Sequence, residues 1–189
     1  MPETRERARH ELGDRALALL ATGRREGPVT LERLASPEDL SAWLGLVGLG
    51  QRRRRADAAA LAAAVELRTA IRRVLGAVAG GAPPDRADIS VINRAARRRS
   101  PRPQLGPDGA TWDWTGRRAT QGWLALVAED AVLLLAGPLR DRVRLCAAAG
   151  CDMPFVDRSR PGHRRWCSVS PCADRAKKAA QRRREAPAP

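Results

Sequence analysis

The four cysteines of the chain, Cys146, Cys151, Cys167 and Cys172, follow the spacing C-x4-C-x15-C-x4-C. Two close pairs separated by a hairpin-sized spacer are what four thiolates need to converge tetrahedrally on Zn2+. The spacer suits that geometry. Met153 to Asp157 reads as one strand, Arg158 to Gly162 as a turn containing Pro161-Gly162, and His163 to Trp166 as a returning strand. Pro171 precedes Cys172, which opens a helix, ADRAKKAAQRRRE. A knuckle, a hairpin and a helix that brings the last ligand describe a small treble-clef-like zinc finger. Two disulfides are the alternative use of the same spacing, and His163 is an alternative ligand. A four-thiolate site is closed, whereas catalytic zinc keeps an open position beside an acid or base. Structural zinc supplies about 10–16 kcal/mol in small fingers, which a segment this poor in apolar residues needs in order to fold.

The N-terminus, MPETRERARHEL, lacks the apolar stretch of a signal peptide. No apolar run approaches the roughly 18–20 residues of a membrane span. The expected location is therefore the cytoplasm, where thiols stay reduced and clustered cysteines point to metal.

Upstream of the cysteines the pattern is helical. Thr4 to Thr22 carries Leu12, Ala16, Leu19 and Leu20 at helical spacing, and a loop follows through Gly27-Pro28. Ser36 as N-cap, Pro37 at the first position and Glu38 and Asp39 in the first turn open a second helix. Gly48 and Gly50 end it, ahead of the arginine run Arg52 to Arg55. The clearest 3.6-residue period runs from Asp57 to Ala79, with Arg68 as the one charged residue on its apolar stripe. Further helices are expected from Asp85 to about Arg98, with Ile89, Ile92 and Ala96 inward, and from Arg118 to Ala136. Between them, short strands flank Pro107-Asp108-Gly109, with Trp112 and Trp114 on one face. Trp43, Leu61, Val65, Ile71, Leu75, Trp123, Val127 and Leu134 form the expected core. The fold class is thus mainly α: a helical domain over residues 1–139 with a short β-hairpin, the zinc finger over 140–185, and a disordered tail at 186–189.

Lys and Arg total 35 against 21 Asp and Glu, and the net charge is +14. The charge is uneven, because residues 140–189 alone carry +8. A basic surface of this density suits a polyanion. In the finger it combines Arg158, Arg160, Arg164 and Arg165 on the hairpin with Arg175, Lys178 and Arg182, which share one face of the final helix. Arginine's planar fork reaches phosphates and guanine edges bidentately. Six aromatics and no tyrosine argue against single-strand stacking. An enzyme has no support: there is no phosphate-cradling glycine loop and no nucleophile–base pair. Asp113, Glu129 and Asp130 read as isolated surface acids.

The segment CAAAGCDMPFVDRSRPGHRRWCSVSPCADRAKKAAQRRR resembles the CGNR zinc finger, a C-terminal module of bacterial transcription regulators. The likeness rests on both C-x4-C pairs, Phe155, Asp157, Ser159-Arg160, Arg164 to Ser168, and Arg175-Ala176-Lys177. SPEDLSAWL and ELRTAIRRVL upstream are similar to the helical ABATE domain that accompanies this finger. The motif that names the finger reads Cys172-Ala173-Asp174-Arg175 here, so its glycine and asparagine are replaced. The N-terminal helix also lacks the aromatic and asparagine residues usual near the start of ABATE domains.

The resemblance implies a zinc-binding, DNA-binding transcription regulator, with double-stranded DNA as partner, an effector for the N-terminal domain and a homodimer as further expected partners, and no membrane. A zinc-scaffolded adaptor for protein or RNA is the competing function.

Overall fold

The computed structural model describes residues 13–26, 29–47, 55–107, 109–113, 119–167 and 172–185. Leu12, the arginines at 52–54, Trp114 and the tail at 186–189 lie outside the described residues. The architecture is mainly α, with three short antiparallel hairpins. Among the described residues no helix is long and apolar enough to cross a membrane.

Helix starts follow local chemistry closely. α2 (Pro37–Leu46) opens on a complete capping box: Ser36 Oγ accepts from the Asp39 N–H, and the Asp39 carboxylate accepts from the Ser36 N–H. α3 (Ala58–Ala79) is capped by Asp57 and α4 (Arg86–Ala96) by Asp85, each through its carboxylate. α1 (Asp14–Ala21) has no such local device, because its N-cap is Gly13 with φ at 91°. Its cap comes from far along the chain. Asp130, on α5 (Ala119–Ala136), accepts hydrogen bonds from the N–H groups of Gly13, Arg15 and Ala16 at 2.8–3.0 Å. Asp130 is therefore buried, not on the surface as its sequence context suggested.

α5 packs against α1, α3 and α4 and buries Trp123, Leu124, Val127, Ala128, Ala131 and Leu134. The buried stripe of α3 is Ala60, Ala64, Leu67, Arg68, Ala70, Ile71, Val74 and Leu75. Its centre is rotated from the expected one: Leu67 is buried, whereas Leu61 and Val65 are only half-buried. Ile89, expected inward on α4, is 38% exposed.

Arg68 explains a strand pair that local sequence did not announce. β1 (Gly23–Glu26) and β2 (Val29–Glu32) pair where a loop was expected. The Arg68 guanidinium donates to both carboxylate oxygens of Glu32, at 2.8 and 2.5 Å, and to Thr22 Oγ1 at 3.0 Å. Gly23 lies so close that a Cβ there would sit 2.5 Å from the Arg68 Cζ. The expected second hairpin is present: β3 (Arg102–Gly106) pairs with β4 (Gly109–Asp113) around Pro107-Asp108. The Trp112 side chain lies outside what is described.

After α5 a 3-10 turn (Pro138–Arg142) leads into β5 (Val143–Leu145), which pairs with β6 (Pro154–Val156). Val143, Met153 and Val156 are buried in the same apolar cluster as Ile71, Val74 and Leu75 of α3. The core thus runs unbroken from the helical bundle into the cysteine-bearing segment.

Candidate metal centre and the basic surface beside it

The four cysteines come from four local settings. Cys146 follows β5, Cys151 ends a tight turn, and Cys172 precedes α6 (Asp174–Glu185), while Cys167 lies in the irregular stretch between β6 and that helix. The turn is built by AAAG: Gly150 takes φ of 72°, a conformation that side chains disfavour, and the Cys151 N–H closes onto the Ala148 carbonyl at 3.0 Å. Cys146 is tied in from both sides, its own N–H donating to the Met153 carbonyl and its Sγ accepting from the Cys167 N–H at 3.4 Å.

All four Sγ atoms lie within 4.8 Å of one another. The Cys151–Cys167 and Cys167–Cys172 separations are 3.9 and 3.6 Å. Thiolates at about 2.3 Å from a tetrahedral zinc stand about 3.8 Å apart, so the set fits that ion. A disulfide needs about 2.05 Å, and none of the four cysteines is disulfide-bonded. His163 is exposed and is not in the cluster, which leaves the four thiols as the donor set among the described residues.

The electrostatics point the same way. Burial pushes the Cys151 thiol up to about 11 and raises Cys167 as well, with neighbouring thiols adding to both. Burial also acts to raise Cys172, but hydrogen bonds from Cys167 and Arg175 outweigh it and hold this thiol below the ordinary cysteine value. The Arg175 guanidinium lies 3.3 Å from Cys172 Sγ. Thiolates packed this tightly repel one another, and a divalent cation at their centre would supply the compensating charge.

The spacer is closed differently from the expected β-hairpin. Residues 163–166 are not a strand, and β6 pairs with β5 instead. A buried carboxylate organises the loop: Asp157 accepts from the Ser159 hydroxyl at 2.6 Å, the Ser159 N–H at 3.0 Å and the Arg164 N–H at 2.9 Å. The Ser159 hydroxyl foremost holds the Asp157 carboxyl below its usual range, against the opposing effect of burial. A single backbone bond, Ala147 N–H to the Arg165 carbonyl at 2.8 Å, then ties the returning chain to the first knuckle.

The seven cations expected to form a nucleic-acid surface separate into two groups. Arg158 pairs with Asp14 at 3.1 Å and Arg175 reaches Cys172. Arg164 donates to the carbonyls of Trp166 and Cys167 at 2.8 and 2.6 Å, and its guanidinium lies 5.3 Å from the Phe155 ring. These three fasten the finger. Arg160, Arg165, Lys178 and Arg182 are exposed, as Arg164 also is, with the Arg165 guanidinium 5.8 Å from the Trp166 ring. Arg175, Lys178 and Arg182 do share one side of α6, where they line a groove with Ala149, Ala176 and Ala179. Asp174 is exposed in the first turn of α6, and Ala173 beside it is buried. The fastening residue that sequence reasoning missed is Arg72. It donates to the carbonyls of Leu20 and Gly23 and meets Asp152, next to Cys151, at 3.4 Å.

Residues 13–138 match the ABATE family model, described as "Putative stress-induced transcription regulator", and residues 142–185 match the CGNR zinc finger. No curated protein matches the chain.

Proposed function

The chain belongs to the ABATE family, with a CGNR zinc finger after its helical domain, and from that premise we propose that it is a zinc-dependent, DNA-binding transcription regulator of the cytoplasm without catalytic activity. The observation that carries the reading is the convergence of four Sγ atoms within 4.8 Å beside a helix whose cations line one groove. Cys146, Cys151, Cys167 and Cys172 would hold Zn2+, and the ion's part would be to cross-link the local structures that carry them. The protein's own residues do the rest. Asp157 and Arg164 close the spacer, Arg175 sets Cys172, and Arg160, Arg165, Lys178 and Arg182 offer charge to a phosphate backbone. Phosphate contacts of this kind position a protein on a duplex, and the start of α6 is the part suited to reading a groove. The helical domain would serve as the seat of an effector or of a homodimer contact.

The test is genome-wide mapping of bound DNA by crosslinking, with Cys146→Ser as the control. Discrete sites that vanish in the variant are expected. A diffuse or absent signal from zinc-loaded protein would overturn DNA regulation and leave the adaptor for protein or RNA in its place.

A further inference from the structure

Among the described residues the β3–β4 ribbon is paired with no other strand. Arg102, Pro103, Gln104 and Leu105 are all exposed, Leu105 at 91%. Isolated two-stranded ribbons are marginal in water, so an exposed one is ordinarily completed by something it touches. Strand addition along the β3 edge is a poor candidate for that. Proline within a strand turns its missing donor toward the free edge, and Pro103 occupies this edge.

Charge suggests a different partner. Arg97, Arg98 and Arg99 stand between α4 and the ribbon, all exposed, and form no ion pair among the described residues. Arg94, one turn earlier, is by contrast neutralised by Glu66 at 2.7 Å. A cation at a helix C-terminus complements the helix dipole, but that effect is confined to the last turn and does not call for three in succession. Residues 97–118 contain six arginines and two aspartates.

We infer that the end of α4 and the β3–β4 ribbon form a second contact for duplex DNA, with Arg97, Arg98, Arg99 and Arg102 on the phosphate backbone and the ribbon presented to a groove. The major groove admits a two-stranded ribbon as readily as a helix. This inference rests on the DNA-binding reading of the finger and extends it to the helical domain. Both surfaces are anchored to one helix: Glu66 of α3 holds Arg94, and Arg72 of α3 holds Asp152 of the finger. Those anchor points are about 9 Å apart along the helix at 1.5 Å per residue.

The experiment uses the full-length, zinc-loaded protein and measures affinity for a labelled DNA duplex across a salt series. Arg97→Ser, Arg98→Ser and Arg99→Ser together should reduce the log–log salt slope by about 2–3, near 0.9 per phosphate contact. Zinc content and helical signal should stay unchanged. Leu105→Asp, at a position already in water, should weaken duplex binding by adding repulsion. An unchanged slope and affinity in both variants, with the wild type still binding, would overturn the inference while leaving the finger's role intact. A wild type that binds no duplex at all would overturn the DNA reading itself. Loss of affinity for single-stranded RNA alone, with duplex binding retained, would also overturn the inference.

Discussion

Asp130 and Arg68 show how single charged side chains set the shape of the helical domain. The first turn of α1 exposes N–H groups that no side chain of its own reaches, and Asp130 collects three of them. A carboxylate there satisfies orphan donors and complements the helix dipole at once. Asp130→Ala should cost about 2–3 kcal/mol, because several buried donors lose their acceptor together. Thermal unfolding would measure it, and Glu129→Ala should cost far less. The partner of Asp130 lies 114 residues or more away, which no local pattern reveals. Arg68 was legible as an irregularity in an apolar stripe, yet its role was not, since its partner Glu32 lies 36 residues away on a strand that local sequence did not announce. The Arg68 hydrogen bond first, opposed by burial, holds the Glu32 carboxyl below its usual range. A lowered carboxyl pKa stabilises the fold above the unfolded value, about 4.3, and that stabilisation is lost as pH falls through the folded value. The gap in melting temperature between wild type and Glu32→Gln should therefore be full at neutral pH and close as pH falls below about 4. Truncating Glu32 to Ala should cost about 2 kcal/mol at neutral pH, less than for a fully enclosed pair because the carboxylate is 42% exposed.

At the scale of the element, legibility followed the locality of the forces. α2, α3 and α4 begin where Ser36, Asp57 and Asp85 put them, since a cap acts within three residues of itself. The cysteine spacing was equally local, and the four thiols converge as it required. The finger's internal pairing was not legible. Met153 to Asp157 and His163 to Trp166 looked like two arms of one hairpin, but the Asp157 carboxylate closes that loop through side-chain bonds and frees β6 to pair with β5. Arg164 is exposed, as expected, but its acceptors, carbonyls two and three residues ahead in a non-strand conformation, were not legible. The distinction is measurable. Arg164→Ala should weaken zinc binding about tenfold, as loss of an outer-shell contact to a metal site commonly does. Competition with a chelating dye would read it. Arg165→Ala should leave zinc affinity unchanged and, on the DNA-binding reading, lower the salt slope on duplex DNA by about one. Asp174 gives a further contrast, being exposed at the start of α6. Asp174→Asn should tighten duplex binding if that corner faces the backbone, and an unchanged affinity would restrict Asp174 to its favourable place at the helix N-terminus.

For the whole molecule, the decisive fact is that two matched families share one core. Their matches fall on either side of residues 139–141, close to where the positive charge becomes denser along the sequence. Yet Val143, Met153 and Val156 pack into the cluster that buries Ile71, Val74 and Leu75. Two ion pairs, Arg72 with Asp152 and Arg158 with Asp14, bind the finger to α3 and to the start of α1. Composition can mark a family boundary, but it carries no information on which apolar faces meet across it. The consequence concerns metal removal. If the finger were merely tethered, a chelator or Cys167→Ser would unfold it and leave the melting of the helical domain unaltered. With a shared core, unfolding the finger bares the α3 face as well, and each fully buried apolar side chain withdrawn from it forfeits about 1.5–3 kcal/mol. The zinc-stripped protein should keep most of its helical signal, since α1 to α5 have their own packing. Its melting midpoint should nevertheless fall by about 5 °C or more, because one kcal/mol is worth several degrees in a domain of this size. It should also bind an apolar dye that the loaded protein excludes. Arg72→Gln provides the complementary case, with zinc retained and one fastening lost: its midpoint should fall less than that of the stripped protein. A midpoint for the helical signal that ignores zinc altogether would show that the two parts are energetically separate in spite of their common core.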